Sequence, residues 1–211
     1  MRQENQHQAG NFGAFMNARS GKLTASRMKN AMKYLKGGGD SAERKGLKIE
    51  ILCERLTGDI VDKFVNTAMQ WGIEKEPEAK EAYEQRTGRL IKDVGFVDHP
   101  KIEFCGASPD GLVDEGLIEI KCPTTATYLS WILAGVVPED HKPQMALQAA
   151  CTGRPWVDFV AYDPRMPEPQ RLFVRRYTPT AEEIAEVEAE ATKFLQEVEA
   201  MFDELSKVEM L

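Results

Sequence analysis

Three features of the 211-residue chain predict an α/β fold with a mixed central β-sheet flanked by helices. Apolar residues recur at helical spacing through the first 88 positions. From Leu90 the pattern switches to short runs rich in β-branched residues, bounded by Gly, Pro and Asp. Helical and strand-like segments then alternate up to a long final helix, with no internal repeat. The length reads as a single domain over 1–211.

Residues 1–18, rich in Gln, Asn and Gly, are expected to be flexible. A helix is predicted to start at Thr24-Ala25-Ser26, capped by Thr24 or Ser26, and to run through Met28, Met32 and Leu35 until Gly37-Gly38-Gly39 ends it. A second helix, over about 42–56, puts Leu47, Ile51 and Leu56 on one stripe and stops at Gly58. A third spans about 66–87, with a kink or fresh start at Pro77, which has no N–H to donate. Strands are predicted over 90–97, 102–105 and 117–121, the last closed by Pro123. Helices over 125–134 and about 139–151 follow. Strands over 157–162 and 172–177 flank a Pro-rich turn. Thr180 then caps an acidic helix (180–207) whose apolar positions Ile184, Val187, Ala191, Phe194 or Leu195, Val198 and Met201 or Phe202 keep helical spacing.

An apolar content of 42% and a charged content of 29% are ordinary for a globular protein. No run approaches the ~18 apolar residues of a membrane span, and the N-terminal segment has no signal-peptide core. The expectation is a cytoplasmic protein with no membrane partner. Cys53, Cys105, Cys122 and Cys151 form neither a CxxC pair nor zinc spacing. That pattern reads as free thiols in a reducing compartment and argues against an iron–sulfur cluster.

The net charge of −7 weighs against a nucleic-acid partner, because phosphate binding wants Lys and Arg. The charge is unevenly spread. Residues 1–60 hold 11 basic and 6 acidic side chains, whereas residues 181–211 hold 2 and 10. A local basic groove is therefore allowed, with the acidic terminal helix expected on the outside of an assembly or against a partner.

The informative segment is Ser108-Pro109-Asp110-Gly111-Leu112 followed by Ile118-Glu119-Ile120-Lys121-Cys122-Pro123. Side chains alternate along a strand, so Ile118 and Ile120 share one face while Glu119 and Lys121, ~7 Å apart, share the other. A hairpin brings Asp110 from the preceding turn beside Glu119. Two converging carboxylates repel unless a cation lies between them, and hard oxygen ligands suit Mg²⁺ or Mn²⁺. A lysine alongside fits metal-assisted phosphodiester hydrolysis. Taken singly, Asp110-Gly111 is also an ordinary turn, and Glu119/Lys121 a solvated ion pair. The apolar strand around the pair and the turn before it weigh against that.

These residues resemble the phage lambda exonuclease family, also called YqaJ-type viral recombinases, within the PD-(D/E)xK nucleases. Further matches fall in the same order: Arg19 with Thr24-Ala25-Ser26; Trp71-Gly72 with Glu76 and Ala79; Gln144 before Thr152; and Tyr162-Asp163-Pro164-Arg165-Met166. The resemblance covers about residues 12–205. It implies a restriction-endonuclease-like core and a Mg²⁺-dependent 5′→3′ exonuclease, with Mn²⁺ as a substitute. The enzyme would act on double-stranded DNA ends and leave a 3′ single strand. It implies Asp110, Glu119, the Ile120 backbone carbonyl and Glu76 as metal-site residues and Lys121 as the catalytic lysine. Arg19, Thr24, Ser26, Ser108 and Gln144 would line the site, Arg19 and Ser26 at the 5′-phosphate. Met69 falls at the family's strand-separating wedge, although a methionine on a helix fits a core equally. Glu74 or Glu78 could replace Glu76, and Gln148 could face the site as well as Gln144. His141 is a lesser phosphate-contact candidate, and Trp71, Trp131 and Trp156 read as packing anchors. The resemblance also implies a ring-shaped homotrimer, a single-strand annealing partner, and a phage or prophage protein in a bacterial host's cytoplasm. A structure-specific endonuclease on the same core, or a non-catalytic DNA-end-binding protein, are the alternatives.

Overall fold

The computed structural model describes residues 18–59 and 67–208; the flexibility expected over 1–18 falls almost wholly outside them. Strand β1 (Leu23–Thr24) leads through one 3-10 turn into α1 (Met28–Ala31), followed by α2 (Ala42–Thr57) and α3 (Thr67–Thr87). Strands β2 (Val97–Asp98), β3 (Cys105–Ala107), β4 (Gly111–Val113) and β5 (Gly116–Lys121) come next. Helices α4 (Thr125–Ala134) and α5 (Lys142–Thr152), strands β6 (Val157–Tyr162) and β7 (Leu172–Tyr177), and helix α6 (Ala181–Leu205) complete the described chain.

The main sheet has the order β4-β5-β6-β7. Its β5–β6 pair is parallel and its outer pairs are antiparallel, so the sheet is mixed. A parallel pair needs a long crossover, which α4 and α5 supply. A smaller sheet, β1-β3-β2, lies beside it. Each face of the main sheet carries a core. Leu117, Val157, Phe159 and Phe173 pack with α5 and with Val187, Ala191, Phe194 and Val198 of α6. Ile118, Ile120, Val160 and Leu172 pack with Ala79 and Tyr83 of α3. Because both faces are covered, β6 is buried at every position and β5 at all but its last.

Local signals explain most boundaries. The Ser41 hydroxyl accepts the Arg44 N–H at the start of α2, and Gly58 closes it in the left-handed conformation. Thr180 and Glu183 form a capping box at α6. Several expectations need correction. The first helix ends at Met32, because Tyr34 turns back to pair with Asp40 and the chain leaves helical geometry before the three glycines. Neither Thr24 nor Ser26 caps it; their hydroxyls lie 3.1 Å from each other. Leu56 is exposed, so the α2 stripe is carried by Leu47 and Ile51. Helix α3 runs through Pro77 without a fresh start, since proline removes one hydrogen bond from a helix anchored on both sides of it. Of residues 90–97 only Val97 joins a strand, β2, pairing with Ala107; before it Lys92 alone pairs, with Leu112, and Leu90 is 74% exposed. The predicted 102–105 strand begins at Cys105, after a turn with Phe104 at positive φ.

The basic excess of the N-terminal third is also largely engaged within the chain. Arg44 and Lys48 bind Glu197 of α6, Arg55 binds Glu199, and Arg27 binds Glu50 and Glu54. Glu197 and Glu199 of the acidic terminal helix thus answer basic side chains of α2 in the same chain.

One glycine gives a direct test of the packing that seats β5. A Cβ on Gly116 would lie 2.2 Å from the Trp156 ring. Gly116→Ala should therefore cost about 1–3 kcal/mol of stability, as overpacking does, read as a lower urea midpoint at unchanged slope. An unchanged midpoint would show that the indole moves aside freely.

Candidate active site

The β4–β5 hairpin sets the centre of the site. Gly111 pairs with Ile118, which brings Asp110, the residue before β4, alongside the second half of β5. The Ile120 N–H donates to Asp110 Oδ2 at 2.6 Å. Alternation then turns Ile118 and Ile120 towards α3 and puts Glu119 on the opposite face with Leu117. That face is not solvent. Glu119 is only 1% exposed, which excludes the solvated ion pair. Its carboxylate is held by three donors: Gln144 Nε2 to Oε1 at 2.6 Å, Lys121 Nζ to Oε1 at 2.5 Å, and Gln148 Nε2 to Oε2 at 2.5 Å. Both glutamines left open by the sequence therefore face the same carboxylate, one turn apart on α5.

These groups form the floor of a cleft of about 780 Å³. Arg19, Ser26 and Ser108 line one side, and α3 contributes Met69, Ile73, Glu76 and Lys80. Arg19 donates to Ser108 Oγ at 2.9 Å and to Ser26 Oγ at 3.3 Å, so one guanidinium gathers two hydroxyls. Thr24 does not line the cleft; it is buried beneath and contacts Ser26. Met69 and Ile73, one helical turn apart, are 45% and 61% exposed, so Met69 is not core. Glu76 lines the cleft, whereas neither Glu74 nor Glu78 does. Its Oε1 pairs with Lys80 at 3.1 Å, and Lys80 also reaches Asp93 at 3.6 Å. Among the described residues, no three His, Cys, Asp or Glu side chains converge closely enough to hold a metal ion between them. Asp110 feels the charge of Glu119 more strongly than that of Glu76.

The electrostatics follow from crowding of acids in a dry floor. Burial, then the charges of Glu119 and Glu76, push the Asp110 carboxyl well above the ordinary carboxylate range. Burial opposes the Lys121 ammonium, but Glu119, Asp110 and Glu76 outweigh it and hold the lysine above its usual value. Cys122 lines the cleft as a protonated thiol, pushed up to about 12 by burial and by Glu76 and Asp110. It is not a thiolate nucleophile at neutral pH.

His141 is not a phosphate-binding cation. Its ring packs edge-on against Trp131 at 5.2 Å and beside Phe159 at 5.3 Å. Burial first, and Lys121 second, lower its pKa to about 4. A base whose folded pKa lies below its unfolded value of about 6.5 stays neutral in the native state while the unfolded chain takes up the proton. Its contribution to stability is complete above pH 6.5 and is lost as pH falls towards 4. Ring ¹⁵N shifts should therefore show no titration of His141 between pH 7 and 5. A midpoint near 6.5 would mean a solvated ring.

Two further sequence motifs meet behind the cleft. The buried Asp163 carboxylate accepts from Thr125 Oγ1 at 2.7 Å and from Arg165 Nε at 2.7 Å. The Arg165 guanidinium stacks over the Trp71 ring at 4.5 Å. The segment Tyr162–Met166 thereby fastens the N-terminal half of α3, which carries Met69 and Glu76, to the β6 end of the sheet. Trp71 acts as the packing anchor expected of it. Trp156 does so as well, buried under Arg176, and Trp131 packs against the core beside Phe159 while also lining the cleft. Lys80, Asp93 and Ile73 were not singled out by the sequence. Only the Glu76–Lys80 spacing of four carried a signal for any of them.

The chain is similar to known proteins in sequence and in fold. Residues 14–155 match the model of the YqaJ-like viral recombinase domain. A search of curated proteins returned no match. Two crystal structures of the alkaline exonuclease LHK-Exo from Laribacter hongkongensis align over 92% of this chain and 96% of theirs, at 43% identity. Their TM-scores are 0.86, for a complex with dAMP, and 0.85. A phage-related exonuclease from Haemophilus somnus 129PT aligns over 87% of this chain and 96% of its own, at 16% identity and a TM-score of 0.66, a likeness of fold. The mixed sheet with its helices is thus the restriction-endonuclease-like core of these exonucleases. With a family match that spans most of the chain and relatives of 43% identity along nearly all of it, the chain belongs to the YqaJ-like viral recombinase family, the lambda exonuclease family of the sequence resemblance.

Proposed function

We propose that the chain is a divalent-metal-dependent 5′→3′ exonuclease that acts on double-stranded DNA ends and leaves a 3′ single strand for annealing. The observation that carries this reading is the meeting of Asp110, Glu119 and Lys121 on the floor of one cleft, inside a fold shared with exonucleases. The dAMP bound by LHK-Exo is a nucleoside monophosphate, the product class of a nuclease that removes single nucleotides.

The donor set fits Mg²⁺, or Mn²⁺ in its place. The groups at the floor are hard oxygens, and the Asp110 carboxyl, buried first and then set near Glu119 and Glu76, carries negative charge that a cation would offset. Asp110, Glu119 and the Ile120 carbonyl would hold the ion, and Glu76, engaged by Lys80, would act through water. When bound, such an ion lowers the pKa of water and offsets charge on a phosphate. The chain's own residues do the rest. The Lys121 ammonium donates to the water or to the developing phosphate charge. Gln144 keeps Glu119 oriented. Arg19, with Ser26 and Ser108, presents a preformed donor cluster to the 5′-phosphate, with Thr24 backing Ser26. Met69, apolar and exposed on the cleft wall, is placed to part the terminal base pairs. A ring homotrimer and a single-strand annealing partner complete the reading.

Three substrates test it with Mg²⁺ present: 5′-phosphorylated linear duplex, its 5′-hydroxyl form, and closed circular duplex. Shortening of the 5′-ended strands of the linear forms alone, faster with the 5′-phosphate, supports the proposal. Cutting of the circle would point to an endonuclease. No product with any divalent metal would leave an end-binding protein.

A further inference from the structure

We infer that Gln148 is a positioning residue for the metal site: its buried amide fixes the orientation in which Glu119 presents a carboxylate oxygen to the cation. The inference rests on the metal-site reading above. Gln148 is fully buried, and its helix neighbours Met145, Ala146, Leu147 and Ala149 are buried apolar side chains of the core. An amide in such a place needs a reason. Its Nε2 donates to Glu119 Oε2 at 2.5 Å, while its own Oε1 is buried with no hydrogen-bond partner among the described residues. The side chain thus gives up satisfaction of one end to hold the carboxylate with the other.

The remaining contacts divide the two Glu119 oxygens unequally. Oε1 already accepts from both Gln144 and Lys121, which fills its two lone pairs. Among the described residues Oε2 accepts from Gln148 alone and keeps one lone pair open. Gln148 does not line the cleft, so it touches neither substrate nor cation and acts through Glu119. Without it the carboxylate is tethered at Oε1 only and turns about that point. Residues that hold a metal ligand in this way typically change metal affinity by about 10–100-fold when removed.

The test is Mn²⁺ binding to the DNA-free protein by calorimetry, together with the Mg²⁺ dependence of hydrolysis. Gln148→Met has similar volume and no donor. It should bind Mn²⁺ about 10–100-fold more weakly, need correspondingly more Mg²⁺ for half-maximal rate, and recover most of the wild-type rate at saturating Mg²⁺. Gln148→Leu, which also lacks the donor, covers the case in which the methionine variant does not fold and should likewise weaken Mn²⁺ binding by about 10–100-fold. Mn²⁺ affinity in either folded variant equal to that of the wild type would overturn the role of Gln148 alone. Absence of Mn²⁺ uptake by the wild-type chain would overturn the metal-site reading and this role with it.

Discussion

Lys121→Ala should lower the rate of phosphodiester hydrolysis by at least about 10²-fold, the usual effect of removing one donor aimed at transition-state charge, while affinity for a duplex end changes only a few-fold. The reason is the position of the ammonium. It stands at the last residue of β5, 2.5 Å from a carboxylate that is itself immobilised by two amides. The surrounding acids keep it charged, so at neutral pH it serves as a donor and not as a base. On the proposed reading, binding of the DNA end would draw on Arg19, Ser26 and Ser108, whose mutual hydrogen bonds the substitution leaves in place. Single-turnover cleavage and fluorescence anisotropy on the same 5′-phosphorylated duplex separate the two effects. Substantial residual cleavage would show that Lys121 is not the catalytic lysine, and a parallel loss of binding would show that it anchors the substrate instead.

Asp110→Asn should abolish metal-dependent cleavage and, in the absence of metal, raise the thermal midpoint. These opposite signs have one cause. Burial, and then Glu119 and Glu76, hold the folded-state pKa of Asp110 above its unfolded value, so ionising it works against the fold. That cost is absent at low pH, where both states hold the proton, and grows as pH rises from the unfolded pKa to the folded one. A neutral isostere removes the repulsion with Glu119 and Glu76 and can still accept the Ile120 N–H. For a chain of this size each kcal/mol recovered raises the midpoint by about 2–4 °C. The metal should reverse the order. At 100 times its dissociation constant a cation stabilises the wild type by about 2.7 kcal/mol, and Asp110→Asn should gain little of this. Differential scanning with and without Mg²⁺ reads both effects. A variant less stable than the wild type without metal would mean that Asp110 is a structural acceptor first, and equal stabilisation of both proteins by Mg²⁺ would place the ion elsewhere.

Much of this was legible in the sequence because it depends on short-range rules. The E-x-K alternation, the turn before it, and the glycines after α2 and α5 each act over a few residues, and each lies where that logic puts it. The failures are tertiary. Nothing local shows that the face of Glu119 is covered by α5, because that burial is created by Gln144 and Gln148 from 25 and 29 positions away. The basic excess of the N-terminal third suggested a DNA groove, yet Arg44, Lys48 and Arg55 answer acids of α6 roughly 150 residues later. Of that third, Arg19 and Ser26 do line the cleft. The 90–97 segment has strand-like composition, but with Leu90 exposed it pairs only at the Lys92 bridge and at its end, where Val97 enters β2.

The most direct test of the account is the position of Mn²⁺ in a crystal of the protein soaked with that ion. The account predicts an anomalous difference peak on the cleft floor, bonded directly to carboxylate oxygens of Asp110 and Glu119, with Glu76 reached through water. A saturating soak that leaves this floor empty, or that places the ion on Glu76 and Asp93 without Asp110, would contradict it.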